Sequence, residues 1–147
     1  MKKIFLLFIL AIGFSCSDDV MDYTEQNEID IAAYVQENNL NVQKTSSGLY
    51  YMITSDGNGA SPSANSNVTL GYKGYLLNGT IFDQSAEATF NIRGVIPGFG
   101  EAVRLLKTGG SGTFIIPSRL GYGNTGSGQD IKGGDVIIFD INLISFN

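Results

Sequence analysis

Asp83 ends the run NGTIFD, directly behind Thr80, Ile81 and Phe82. A carboxylate in that position can be a solvated strand end or a group held in a pocket. Asn78 and Gly79 are the strongest short-range hairpin signal, because both take positive φ in a two-residue type I′ turn. Ideal pairing from that turn puts Leu77 opposite Thr80, Leu76 opposite Ile81 and Gly74 opposite Asp83. Paired residues share a face, so Asp83, Ile81, Gly74 and Tyr72 are expected on one side, with Gly74 leaving room for the acid and Tyr72 diagonally beside it. A phenol donating to a carboxylate at the edge of a half-apolar cavity follows from this register. By pattern alone, a solvated acid is the more ordinary outcome.

The rest of the composition narrows the chemistry. The 147 residues include no histidine, no tryptophan and one cysteine, Cys16. Serine–histidine and cysteine–histidine nucleophiles and histidine-ligated metals are excluded, since each needs an imidazole. One cysteine allows no intrachain disulfide. A two-carboxylate hydrolase fits poorly, because Asp83 has no acidic neighbour in its motif and Asp130, Asp135 and Asp140 read as loop and strand-exit charges. No metal and no cofactor is expected. Tyr122 is a second candidate, since its flanking Gly121 and Gly123 place it on a loop that packing alone does not require.

The elements that must position these residues are mostly strands. From Gly48 onward the apolar pattern has period two: GLYYMITSDGNG is a strand ended by turn residues, and SNVTLGYKGYLL is another, with Val68, Leu70, Tyr72, Gly74 and Leu76 on one face. SGTFIIP and DVIIFDINLISF are further strands rich in β-branched and aromatic residues. Before these two, GFGEAVRLLKTGG reads as a short helix, with Phe99, Val103 and Leu106 on one face and Gly109 and Gly110 as its stop. An antiparallel sheet wrapped on one helix accounts for this order. Phe90, Phe114 and Phe146 read as core or edge packing, and Tyr50, Tyr51 and Tyr75 as packed strand residues.

The beginning of the chain is different. Lys2 and Lys3 precede an apolar run, Ile4–Phe14, too short for a bilayer core that takes about 20 residues, so residues 1–15 read as a signal peptide. GFSC at its end resembles the lipobox of bacterial lipoproteins, which makes Cys16 the lipidation site and the membrane a partner. A plain secretory signal with a free thiol is the alternative. Residues 16–47 read as an acidic tether with a possible short helix, Thr24 serving as its N-cap. Seven acids and one lysine lie between Ser17 and Ser47, against seven acids and six bases from Gly48 onward. Loss of Lys2 and Lys3 with the signal takes the formal charge from −5 to −7. No basic stripe for nucleic acid is present. SDD after Cys16 resembles export signals of some Gram-negative surface lipoproteins, or is a solvated spacer. The expected location is the envelope of a Gram-negative bacterium, anchored in the outer membrane on its periplasmic or surface side.

Three blocks in order, VTLGYKGYLLNGTIFDQS, VIPGFGEAVRLLKTGGSGTFIIPSRLGYG and IIFDINLISF, resemble the FKBP-type peptidyl-prolyl cis/trans isomerase domain and cover nearly all of residues 48–147. The resemblance implies an α+β, FKBP-like fold: a five- to six-stranded antiparallel sheet curled around one short helix. It implies an isomerase acting on X–Pro bonds of proline-containing polypeptide clients; a monomer is the expected state. Its pocket would be lined by Tyr72, Phe82, Val95, Ile131 and Phe139, with Phe99 as the floor. The Ile96 N–H and the Tyr122 hydroxyl would hold substrate carbonyls, and Asp83 would bond the neighbouring tyrosine. Ideal register sets Phe82 and Asp83 on opposite faces, so both line one pocket only if the strand twists or ends there.

The sequence departs from the family at the pocket. Phe99 stands where many members have tryptophan. Ala88 stands where an aromatic wall is common, in a loop about two residues shorter, and Lys132 and Gly133 replace a frequent proline pair. A shallower, more open pocket is expected. The rival function on the same fold is a catalytically weak chaperone or binding module.

Overall fold

The computed structural model describes residues 20–147; the expectations for the signal peptide and for Cys16 lie outside the described residues. Six strands form one antiparallel sheet: β1 (Gln43–Lys44), β2 (Tyr50–Ser55), β3 (Asn67–Leu76), β4 (Ile81–Asn91), β5 (Ser111–Ile116) and β6 (Ile137–Phe146), in the order β1-β2-β5-β6-β3-β4. Two helices, α1 (Thr24–Glu37) and α2 (Pro97–Arg104), lie on opposite faces of it. Among the described residues no helix is long and apolar enough to cross a membrane.

The period-two pattern explains the layers. Val68, Leu70, Phe114, Ile116, Ile137, Phe139, Ile141 and Leu143 point to one face and pack with Phe99, Ala102 and Val103 of α2. The alternate residues Ile115 and Ile138 point to the other face, where they meet Ile31 of α1 with Tyr34, Val35, Tyr50 and Tyr75 around it. Pro97 opens α2 at a position whose N–H needs no intrahelical partner. The helix is shorter than its sequence pattern: it ends at Arg104, five residues before the first stop glycine, and Leu106 reaches the core from the turn beyond.

Part of the expected tether is folded onto the domain. Asp22 Oδ1 accepts the Thr24 N–H at 2.9 Å, so Asp22 does the work expected of Thr24, which is itself the first helical residue. The helix ends in a Schellman turn, with the Leu40 N–H on the Val35 carbonyl and Asn39 at φ 51°. α1 falls where the possible short helix was expected, and β1 adds a strand in the stretch beyond it expected to be linker. They dock because Ile31, fully buried, together with Tyr34, Val35, Leu40 and Val42, covers the apolar positions of the sheet's outer face. The possible short helix of the tether is therefore present, and it is docked on the domain beside the helix expected within it.

The β3–β4 hairpin corrects the ideal register in an instructive way. Its loop has three residues: the Gly79 N–H donates to Leu76 O, the Leu76 N–H donates to Thr80 O, and only Gly79 has positive φ, at 89°. Asn78 instead accepts the Thr80 N–H on its side chain. The pairing starts one step off, with Tyr75 opposite Ile81, and then shifts so that Gly74 lies opposite Asp83 after all. The compensating irregularity is a bulge at Phe82, which gives β4 one extra residue there. Ile81 is correspondingly on the outer face, half exposed, and not with Tyr72 and Asp83.

Candidate active site

The bulge at Phe82 brings Phe82 and Asp83 to the same cavity, which an unbroken strand would forbid. That cavity, about 490 Å³, opens between α2, the inner face of the sheet and the loop between β5 and β6. Tyr72, Phe82, Asp83, Val95, Ile96, Phe99, Tyr122, Ile131 and Phe139 all line it. Cys16 lies outside the described residues. Three groups were not anticipated as lining: Phe90, read as packing, Gly94, and the loop residues Ser127–Asp130. Phe90 carried a usable signal, since it shares the parity of Val68, its partner across the sheet, whose side chain faces inward. The loop carried none beyond its glycines.

Five aromatic rings build the walls edge to face. Phe99 meets Phe139 at 4.9 Å between centroids and Tyr72 at 6.0 Å, Phe82 meets Phe139 at 5.5 Å, and Phe90 meets Tyr72 at 5.7 Å and Phe99 at 6.0 Å. Such pairs add about 0.5–1.5 kcal/mol each beyond burial, so the walls are stiff as well as apolar. Phe90 thereby supplies an aromatic wall on the side where Ala88 has none. Gly74 is needed here for a reason other than the expected one. A Cβ on it would lie 2.6 Å from Phe82 Cζ and 2.7 Å from Phe139 Cε1, so its missing side chain makes room for two rings and not for the acid.

Polar groups are few and sit at the rim. The Tyr72 hydroxyl donates to Asp83 Oδ2 at 2.7 Å. Burial, and then this bond to Asp83, pushes the Tyr72 phenol up to about 12. Burial, with the Asp83 charge second, also raises the Tyr122 phenol. Both therefore stay protonated donors at neutral pH. Tyr72 is committed to Asp83, whereas the Tyr122 hydroxyl has no partner among the described residues. The Ile96 N–H, at the head of α2, likewise has no acceptor. Asp83 itself is exposed, an acid on the lip of the cavity and not within it.

The loop that closes the cavity is held by its own backbone. Ser127 and Ile131 exchange two hydrogen bonds, and Ile131, only 6% exposed, turns inward. The Lys132 N–H donates to Asp135 Oδ2 at 2.8 Å, a bond a proline there would lack. Among the described residues no group of His, Cys, Asp and Glu is placed to hold a metal ion.

With this geometry the known proteins can be compared. The family model for FKBP-type peptidyl-prolyl cis-trans isomerase matches residues 59–144. The chain belongs to the FKBP family. It is 42% identical over 118 residues to a probable FKBP-type isomerase, FkpA, of Neisseria meningitidis, covering 76% of this chain and 43% of that one. It is 40% identical over 103 residues to the outer membrane protein MIP of Legionella longbeachae, covering 67% and 44%. Among solved structures, a peptidyl-prolyl cis-trans isomerase of Pseudomonas syringae superposes with TM-score 0.77 at 29% identity, over 85% of this chain and 93% of that one. The chain spans about half the length of the curated relatives it matches. The FKBP-like architecture expected from the three sequence blocks is thus the architecture found.

Proposed function

We propose that this chain catalyses cis–trans isomerisation of X–Pro bonds in exported polypeptides, from a lipid anchor at Cys16. The observation that carries the reading is the aromatic slot with two uncommitted donors at its mouth, the Ile96 N–H and the Tyr122 hydroxyl. An X–Pro bond resists rotation by about 18–20 kcal/mol because resonance gives it double-bond character. Removing the amide from water disfavours the polar planar form relative to the twisted one, and fixed donors favour the twisted geometry further. Each 1.36 kcal/mol gained is about tenfold in rate, and no nucleophile is needed. Phe99 is the surface for the proline ring, and Phe82, Val95, Ile131 and Phe139 enclose it. Ile96 and Tyr122 hold the flanking carbonyls. Asp83 fixes the Tyr72 hydroxyl and charges the lip.

Proline tetrapeptides in a protease-coupled assay test this. A rate above the uncatalysed one is expected, reduced about tenfold or more by Asp83→Ala with Tyr122→Phe; no rate, or a rate unaffected by the pair, defeats it. Substitution of tryptophan by Phe99 favours a second reading, a weak catalyst acting as a chaperone, whose suppression of client aggregation would survive the same pair.

GFSC and the relative named as an outer membrane protein support the anchor, and the reading that goes with it is a lipoprotein of a Gram-negative outer membrane. Mature protein should partition into detergent, and Cys16→Ser should release it or block maturation; a soluble mature protein with an unmodified thiol counts against it.

A further inference from the structure

Asn27 is 1% exposed, on a helix outside the slot, yet all of its side-chain bonds go to the loop that carries Tyr122. Its Oδ1 accepts from the Ser118 N–H and from the Ser118 hydroxyl, both at 2.7 Å. Its Nδ2 donates to Gly134 O at 2.9 Å. Ser118 and Gly134 bracket the segment that supplies Tyr122 and Ile131 to the slot.

Each bracket residue then bonds directly beside Tyr122. The Ser118 carbonyl accepts the N–H groups of Gly121 at 3.0 Å and Gly123 at 2.8 Å, the two neighbours of Tyr122. The Gly134 N–H donates to Gly123 O at 2.9 Å. One amide side chain is therefore a single residue removed from both sides of the tyrosine. Two further contacts keep the head of α1 in place: Asn124 Nδ2 donates to Met21 O at 2.8 Å, and the Tyr23 ring covers Gly134, where a Cβ would lie 2.4 Å from it. Buried amides of this kind are costly to leave unpaired, so Asn27 and its partners hold one geometry.

Resting on the reading of Tyr122 as the carbonyl donor, we infer that Asn27 is a positioning residue for catalysis: α1 sets the place of the Tyr122 hydroxyl over the slot through Asn27. The helix is thus part of the enzyme and not a spacer before it.

Asn27→Ala is tested in two ways, with thermal unfolding as a control for the fold. In amide hydrogen exchange the Gly121, Gly123 and Gly134 N–H groups should lose protection about tenfold or more while Phe114–Ile116 keep theirs. This readout does not depend on activity, so a chain without isomerase activity would defeat the proposed function and leave the clamp tested. In the peptide assay Asn27→Ala should lower kcat/KM about five- to tenfold in the native background and less than about twofold in Tyr122→Phe, as expected for residues coupled through one network. Unchanged glycine protection overturns the inference. So does an equal activity loss in both backgrounds, which would mark general destabilisation. Should Asn27→Ala fail to fold, Asn27→Asp keeps the acceptor for Ser118 and loses the donor to Gly134. It should then deprotect Gly134 and spare Gly121, and equal deprotection of both overturns the clamp.

Discussion

The inner and outer faces of the sheet each carry one helix, and different forces hold the two. Inside, α2 contributes Phe99, Ala102 and Val103 to a core of aliphatic and aromatic side chains, and the polar groups stay at the rim of the slot. Outside, α1 places Ile31 in a smaller apolar cluster and adds directional bonds from its polar residues. Asn27 clasps the Tyr122 loop, and Glu28 accepts from Lys44 Nζ at 2.8 Å and from the Tyr50 hydroxyl. Burial is non-directional and insensitive to protonation, whereas the outer helix depends on named donors and acceptors. The shape of the slot is entrusted to the first kind of force and its adjustment to the second.

The comparison predicts a graded response. Phe99→Ala, removing the 5% exposed floor ring, should destabilise the whole domain by about 3–5 kcal/mol and abolish activity. A loss below about 1 kcal/mol in denaturant unfolding would show that the inner face is not held by packing. Gly74→Ala should cost about 1–3 kcal/mol, because the added Cβ must displace both Phe82 and Phe139, and activity should fall with it. Activity unchanged in that variant would mean the two rings do not shape the slot.

Ile31→Ala separates the faces. Its loss of about 2–5 kcal/mol should appear as local release of α1, with helix amides exchanging freely while β5 and β6 remain protected. Cooperative loss of both together would erase the distinction. The smallest effect is on pH. The Lys44 hydrogen bond, and then that of Tyr50, holds the Glu28 carboxyl below its ordinary 4.5. A lowered carboxylate stabilises the fold above its unfolded value, so α1 docking should weaken as pH falls below about 4.5 and through the lower folded value. The pair is partly solvated and worth at most about 1 kcal/mol, less in high salt. Tyr72 has the opposite sign: its raised phenol favours the fold below pH 10, an advantage lost as pH rises toward about 12. Exchange of α1 amides and tyrosine absorbance across these two ranges check both.

Much of the inner face was legible in the sequence and much of the outer face was not. Period-two strands and the FKBP-like blocks assigned the anticipated slot residues to one face, because apolar alternation states directly which side chains are buried. Gly74 fell opposite Asp83 as expected, although the loop is one residue longer, because the bulge at Phe82 cancels the difference. Neither irregularity leaves a mark in the residue types: Asn–Gly suits both turns, and a bulged phenylalanine looks like any other. Asn27 was invisible for a related reason. A buried asparagine on a helix reads as a solvated one until the carbonyl and hydroxyl it serves, some ninety residues and more away, are brought beside it.

The docked outer helix also alters how far the slot can travel. A free stretch from Cys16 to Ser47 would span up to about 100 Å, at roughly 3.3–3.6 Å per residue, whereas the few residues from Cys16 to Thr24 span under about 30 Å. That is less than the domain's own width of about 35 Å, taken from the usual scaling of radius with length. Were Cys16 lipidated as proposed, the domain would be mounted and not leashed, by the corner where Asn124 and Gly134 meet Met21 and Tyr23. Under that anchor the Tyr122 loop would be the side of the domain held closest to the bilayer, and a client would have to pass within about one protein's width of the membrane.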